Sequence, residues 1–421
     1  PLPLMGMSIS LPFALGPMPP HVEDMSRLAL NELSRDFVLT LGGTKDPCWS
    51  TTKIMIALSK ENTAVLHLLV GVTLAELSFR QSYPQLFHSA AVRYQSCGME
   101  ALRTMMNARG PGREPDPLLV VLTFWLRYYR QRRRDDHNSG EGLSAVSQQL
   151  ATYYRSHHMD RFLTALKPPI DARSACLARL TSWLFWVDAA AGFYGDGGFF
   201  AQYLTESTNA LNHIYALSKK TLSTYFGGIY PVAQTVDDNE NELALELIHQ
   251  TWIVVQAINE VLAAGPVDAE TYERLGSRVE NLVTGDRYAA VIRDAEDDIL
   301  VRDRRLGNAD WAVSNLYALC ILFSRCRVGE PVLFSLGQIR DVGRRLMDIL
   351  YRSITGGPLG QADRMQWPLF WAVIETRDIV HEKEFVLKHL SNHYLAAALT
   401  AVLREQRQTG QPMRAARIRE I

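Results

Sequence analysis

The sequence predicts an all-α protein: an irregular array of about a dozen helices packed as antiparallel hairpins. Three observations carry that expectation. Apolar residues recur at helical spacing, as in Val65, Leu66, Leu69, Val72 and Leu77, whereas the strict alternation of a half-buried strand is scarce. Clusters of Pro and Gly cut the chain at Gly42-Gly43, Gly110 to Pro117, Asn138 to Gly142, Lys167-Pro168-Pro169, Gly227-Gly228 to Pro231 and Gly356 to Gly360, leaving short connections between neighbours. The 421 residues are 47% apolar and 21% charged, enough to bury a large core and unlike a disordered chain.

In chain order, residues 1–24 are expected to form a disordered or linker tail. Pro1 to Val22 is uncharged, interrupted by six prolines and without a basic leader, so it is neither signal peptide nor span. Because the chain opens on Pro1 rather than Met, it is read as a fragment. One helical domain is expected over 25–406. Pro84 opens a helix over Gln85 to Ala108 and Pro117 one over Leu118 to Arg134, with Ser82 and Asp116 as candidate caps. No 34-residue repeat of the tetratricopeptide kind is visible. A basic tail over 407–421, with Arg414, Arg417 and Arg419, is expected to be irregular.

A formal net charge of −1 leaves no global footprint for nucleic acid. Five scattered cysteines, Cys48, Cys97, Cys176, Cys320 and Cys326, fit core thiols in a reducing compartment. The longer uncharged runs, Thr221 to Val236 and Trp311 to Ser324, fall short of the roughly 20 apolar residues that cross a bilayer, so no membrane association is expected.

Two constellations suggest enzyme or metal chemistry. Asp294, Glu296, Asp297, Asp298 and Asp303 fall on one predicted helix, where a magnesium-dependent prenyl-diphosphate enzyme would place Asp-Asp-x-x-Asp. The third aspartate is missing and Arg293, Arg302, Arg304 and Arg305 interleave, which is the pattern of a solvated face with local ion pairs. His389 and His393, four apart near His381, share a face, yet His381-Glu382-Lys383-Glu384-Phe385 lacks the second histidine of a metalloprotease helix. With no P-loop, dinucleotide fingerprint or nucleophile elbow, the expectation is no enzyme, no catalytic residue and no metal in this chain. Arg127, Arg130, Arg132, Arg133 and Arg134 beside Tyr128 and Tyr129 read as a basic helix end before a nucleic-acid contact.

Large aromatics crowd two regions, one holding Trp183, Trp186, Phe193 and Tyr194, the other Trp367, Phe370 and Trp371. Such side chains fill helical cores or line pockets. Together with Asp188, which needs a polar partner if buried, these eight form the candidate ligand pocket.

Asp46-Pro47-Cys48-Trp49, then Thr63 to Leu69, then Phe87-His88-Ser89-Ala90-Ala91-Val92-Arg93-Tyr94 and Asp116-Pro117-Leu118-Leu119 follow one another in order. Leu180 to Ala190, with Trp186-Val187-Asp188-Ala189-Ala190, and Gln366-Trp367-Pro368-Leu369-Phe370-Trp371 come after them. This series resembles the fungal-specific transcription factor domain of fungal binuclear-zinc-cluster transcription factors, from about Asp46 to Ala401. The resemblance implies an all-helical regulatory region in a nuclear activator or repressor, with zinc and DNA binding in a module outside this chain. It also implies a small apolar effector, transcriptional co-regulators and a homodimer as partners. A ligand-free dimerisation scaffold of the same family is the alternative reading.

Overall fold

The computed structural model describes residues 20–35, 45–78, 84–107, 115–131, 142–167, 169–206, 208–265, 267–326, 336–357, 360–375 and 381–420. Among them the chain forms 22 α-helices and no strand. The all-α expectation holds, and the count exceeds a dozen because many helices are only one or two turns long. In order they are α1 (Pro20–Arg35), α2 (Thr51–Ser59), α3 (Thr63–Ser78), α4 (Pro84–Asn107), α5 (Pro117–Gln131), α6 (Leu143–Ser156), α7 (Met159–Ala165), α8 (Ala172–Gly192), α9 (Phe199–Thr205), α10 (Thr208–Ser218) and α11 (Thr221–Phe226). There follow α12 (Val232–Glu240), α13 (Glu242–Ala264), α14 (Ala269–Thr284), α15 (Ala289–Glu296), α16 (Arg304–Ser324), α17 (Leu336–Gly356), α18 (Gln361–Arg364), α19 (Gln366–Glu375), α20 (His381–His389), α21 (His393–Thr409) and α22 (Ala415–Arg419).

Short polar side chains start many of these helices by accepting from otherwise unsatisfied first-turn amides. Asp116 accepts from the Leu118 amide at 2.9 Å, as expected of a cap on α5. Asp171 does the same for Arg173 and Ser174 on α8, at 2.9 and 3.0 Å, and Asp303 for Leu306 on α16, at 2.8 Å. Ser82, residues 1–19, Gly42-Gly43, residues 108–114 and 132–141, Pro168 and residues 358–359 lie outside the described residues.

Helices that are apolar on every side are buried on every side, and those that are apolar on one stripe cover them. Helix α8 packs against α5, α9, α10, α11 and α13, and α13 in turn packs against α16. Helix α16, buried over most of its length from Leu306 to Phe323, also meets α15, α17 and α19. Helix α17 is one-sided: Ile339, Leu346 and Leu350 face the core, and Arg344 points outward. Successive helices pair, most extensively α3 with α4 and α16 with α17. The α3–α4 approach is close at Gly98, where a Cβ would come within 2.8 Å of the Leu68 side chain.

Several expectations are corrected. Residues 20–24 belong to α1, not to a tail. The expected basic tail is docked: α21 runs to Thr409, Met413, Ala415 and Ile418 are buried, and the Ala415 amide donates to the Arg325 carbonyl at 2.9 Å. The acidic run is not one helix. Arg302 donates to the carbonyls of Asp294, Ala295 and Asp297 at 3.1, 3.3 and 2.6 Å, satisfying the end of α15 and breaking the helix before Asp303 caps the next one. Arg127 and Arg130 form no surface patch; they are 2% and 6% exposed, donating to Gln149 Oε1 and the Ala91 carbonyl. Among the described residues no helix is long and apolar enough to cross a membrane.

Candidate functional site

A partly open cavity of about 1020 Å³ lies between α8, α13 and α16 and is also lined by α10, α11, α12, α18 and neighbouring segments. Its size matches the upper range of small-molecule sites. The α8 wall follows from helical spacing: Arg179, Trp183, Trp186, Val187 and Ala190 all face the cavity, and steps of four, three, one and three residues keep them on one stripe.

Aromatic rings form much of the wall. Trp183 packs on Trp125 with centroids 5.3 Å apart, Trp186 meets Trp311 edge to face at 6.0 Å, and Trp252 meets Trp367 at 5.0 Å. Trp186 is held by a polar contact, its indole Nε1 donating to Nδ1 of His249 at 3.2 Å. That bond requires a neutral ring with its proton on Nε2. Burial supplies the condition by pushing His249 down to about 3, and Tyr215 stacks on the same ring at 4.2 Å.

The charges in the wall are unevenly paired. Lys45 donates to Asp237 and Asp238, both at 2.6 Å, and Arg304 reaches Asp237 at 2.6 Å. Tyr230 donates its hydroxyl to Asp238, and Lys219 pairs with Glu242 at 2.6 Å. Among the described residues two guanidiniums have no such carboxylate partner. Arg364 donates to Asn308 Oδ1 at 2.7 Å and Gln361 Oε1 at 3.3 Å, both neutral, and lies over the Trp311 ring at 4.0 Å. Burial, with the neighbouring charge of Arg304, brings it down to about 9. Arg179 has no hydrogen bond or ion pair among the described residues; its Nη1 is sealed from solvent and its head lies 5.7 Å from the Trp183 ring centroid. Burial lowers it as well, and the charge of Asp238 partly opposes that shift.

Of the eight expected pocket residues, Trp183, Trp186 and Trp367 line the cavity, and Asp188, Phe193, Tyr194, Phe370 and Trp371 do not. The last four do meet each other. Phe193 packs on Trp371 at 5.3 Å and Tyr194 on Phe370 at 5.6 Å, joining α19 to the end of α8 in the core. Asp188 is wholly buried and faces away from the cavity. It accepts from the Tyr128 hydroxyl at 2.7 Å, the Gly198 amide at 3.0 Å and the Ala201 amide at 2.8 Å. Those bonds fasten the start of α9 and the loop before it to α8. Gly198 sits at φ 89, and a Cβ there would be 2.9 Å from the Gly192 Cα, so the loop needs glycine.

The residues missed at the sequence level are Lys45, Arg179, Arg304, Arg364 and the aromatics Trp125, Trp252 and Trp311. Only Arg179 carried a local signal, four residues before Trp183 on the same stripe.

The other candidates resolve into ion pairs. Asp294 pairs with Arg305, Glu296 with Arg345 at 2.8 Å and Asp298 with Arg352 at 2.6 Å. Among the described residues no three His, Cys, Asp or Glu are grouped as a metal would need. The side chain of His393 lies outside the described residues. Cys176 and Cys320 are buried thiols pushed up to about 12 by burial. Comparison with protein-family models, curated proteins and solved structures finds no match to this chain.

Proposed function

We propose that this chain is the effector-sensing regulatory domain of a fungal binuclear-zinc-cluster transcription factor, and that a small molecule bound in the α8–α13–α16 cavity controls it. The observation that carries this reading is the cavity itself. Its volume of about 1020 Å³ is in the range of ligand sites, and its wall includes Trp183 and Trp186 from one motif of the family resemblance and Trp367 from another. In this reading DNA is bound by a zinc module outside the chain, the protein works in the nucleus, and co-regulators read its state. The effector acts only through a difference in affinity between two arrangements of the helices. No catalytic role is assigned, and the acidic run that suggested magnesium chemistry is engaged by arginines.

A second reading, a protein-contact or dimerisation module, is favoured by one observation. Ile229 and Val232, 72% and 79% exposed, lie with the half-exposed Val236 on one short stretch. Native mass spectrometry of the purified chain from its own expression host, followed by denaturing extraction, separates the two. A stoichiometric retained molecule supports sensing, and a ligand-free dimer supports the scaffold. Deleting the domain from the whole factor without changing target-gene expression under any tested metabolite would sink both.

A further inference from the structure

We infer that the molecule this cavity takes is an organic anion with an aromatic or polycyclic apolar body. Its acidic group is drawn to the guanidiniums of Arg179 and Arg364 and its body lies against Trp183, Trp186 and Trp311. The inference rests on the ligand-sensing reading above and specifies its chemistry.

Asp237 and Asp238 are taken by Lys45 and Arg304, and Glu242 by Lys219. Asp363, the remaining carboxylate of the lining, has contacts of its own, and the charge felt by Arg364 is that of Arg304. Arg364 therefore spends its bonds on two neutral amide oxygens, and Arg179 makes none among the described residues. Both are half-buried and line the cavity. A half-buried cation without a hydrogen-bonded counterion is partly desolvated, and an anion that enters the cavity gains more from it than from a fully hydrated one. Arg304 acts electrostatically on both of these arginines, and although Asp238 acts more strongly on Arg179, Arg364 feels only the like charge beside a wall that carries several aromatic rings. A guanidinium presents a planar fork that matches a carboxylate or sulfonate with two parallel bonds. An uncharged sterol-like molecule would leave both cations without a counter-charge.

A matched pair of fluorescent probes tests this on the full chain: anilinonaphthalene sulfonate and its uncharged parent, N-phenylnaphthylamine. The expected result is that the sulfonate binds at least about tenfold tighter, the range of one charge-assisted bond to a charged group. Arg179→Gln and Arg364→Gln should each remove most of that preference without weakening the uncharged probe, and Arg364→Lys should retain part of it. Ala190→Trp, which fills the cavity, should weaken both probes. Arg179→Gln breaks no hydrogen bond, so a thermal melt equal to wild type keeps the result interpretable if Arg364→Gln misfolds. If both probes bind equally, respond to Ala190→Trp and ignore the arginine changes, the anion inference is overturned and the cavity reading survives. If neither probe responds to Ala190→Trp, both fall.

Discussion

Replacing Asp188 with alanine tests whether this residue is a structural fastener and not a ligand anchor. Its carboxylate oxygens accept from the Gly198 amide at 3.0 Å, the Ala201 amide at 2.8 Å and the Tyr128 hydroxyl at 2.7 Å, with the side chain entirely buried. Truncation removes the acceptor of two backbone donors; each unsatisfied buried group costs about 1–3 kcal/mol, so the expected loss is about 2–6 kcal/mol. Against a typical stability of about 5–15 kcal/mol, that is a large share. The tyrosine hydroxyl can rotate toward another acceptor and adds less. Asp188→Asn keeps the shape and one acceptor oxygen but turns an amide donor toward another donor, so it should fall between wild type and alanine. Urea unfolding followed by tryptophan fluorescence gives the order. A folded Asp188→Asn should bind the sulfonate probe as wild type does, because Asp188 does not line the cavity. An alanine variant within about 1 kcal/mol of wild type, or an asparagine variant that folds normally and loses the probe, would refute the reasoning.

Three further outcomes follow from buried titratable groups. His249, held down to about 3 against an ordinary value of 6.5, contributes stability that is complete above 6.5 and lost as pH falls toward about 3. His249→Phe should flatten that part of the acid-unfolding profile and free Trp186, seen as a shift in its emission. Asp310, fully buried 3.4 Å from Arg302, is pushed up to about 7 by burial, so its contribution is complete below its ordinary 3.8 and lost as pH rises to about 7. Asp310→Asn should therefore gain stability relative to wild type, by a few kcal/mol, between about pH 4 and about pH 8 in paired denaturation curves. Arg325 pairs with Glu375 with both nearly buried and also donates to the Met413 carbonyl at 3.0 Å. Glu375→Ala should cost about 3–5 kcal/mol, and Arg325→Met with Glu375→Met should cost less than the single change; an equal cost in unfolding experiments would contradict the buried-pair account.

Much of the fold was legible because its causes are local. The continuous apolar run of α3 and the Asp116 cap of α5 depend on residues a few positions apart. The break in the acidic run was not, because Arg302 closes α15 by folding back on its carbonyls while neighbouring acids are claimed by Arg345 and Arg352 from α17. The candidate pocket was half legible for the same reason. Trp183 and Trp186, three apart, share a face, whereas Asp188, two residues beyond Trp186, must point nearly opposite; grouping it with the tryptophans treated closeness in sequence as closeness in space. Arg304 and Arg364 come from other helices, and no pattern around them marks which wall they join.

The two-sidedness of α8 limits which parts of the protein can respond to a bound molecule. One stripe of the helix meets the cavity, while the other is tied down by Asp188 and by Thr181, whose hydroxyl lies 2.6 Å from that of Tyr154. Turning α8 would break those bonds, so this wall behaves as a fixed abutment. The facing segment differs: α12 has no buried residue and α11 has two, Thr221 and Leu222. Compliance is concentrated there. Backbone amides over 221–240 should exchange with deuterium well before those of 175–190, and occupancy of the cavity should register as slower exchange on the yielding side alone.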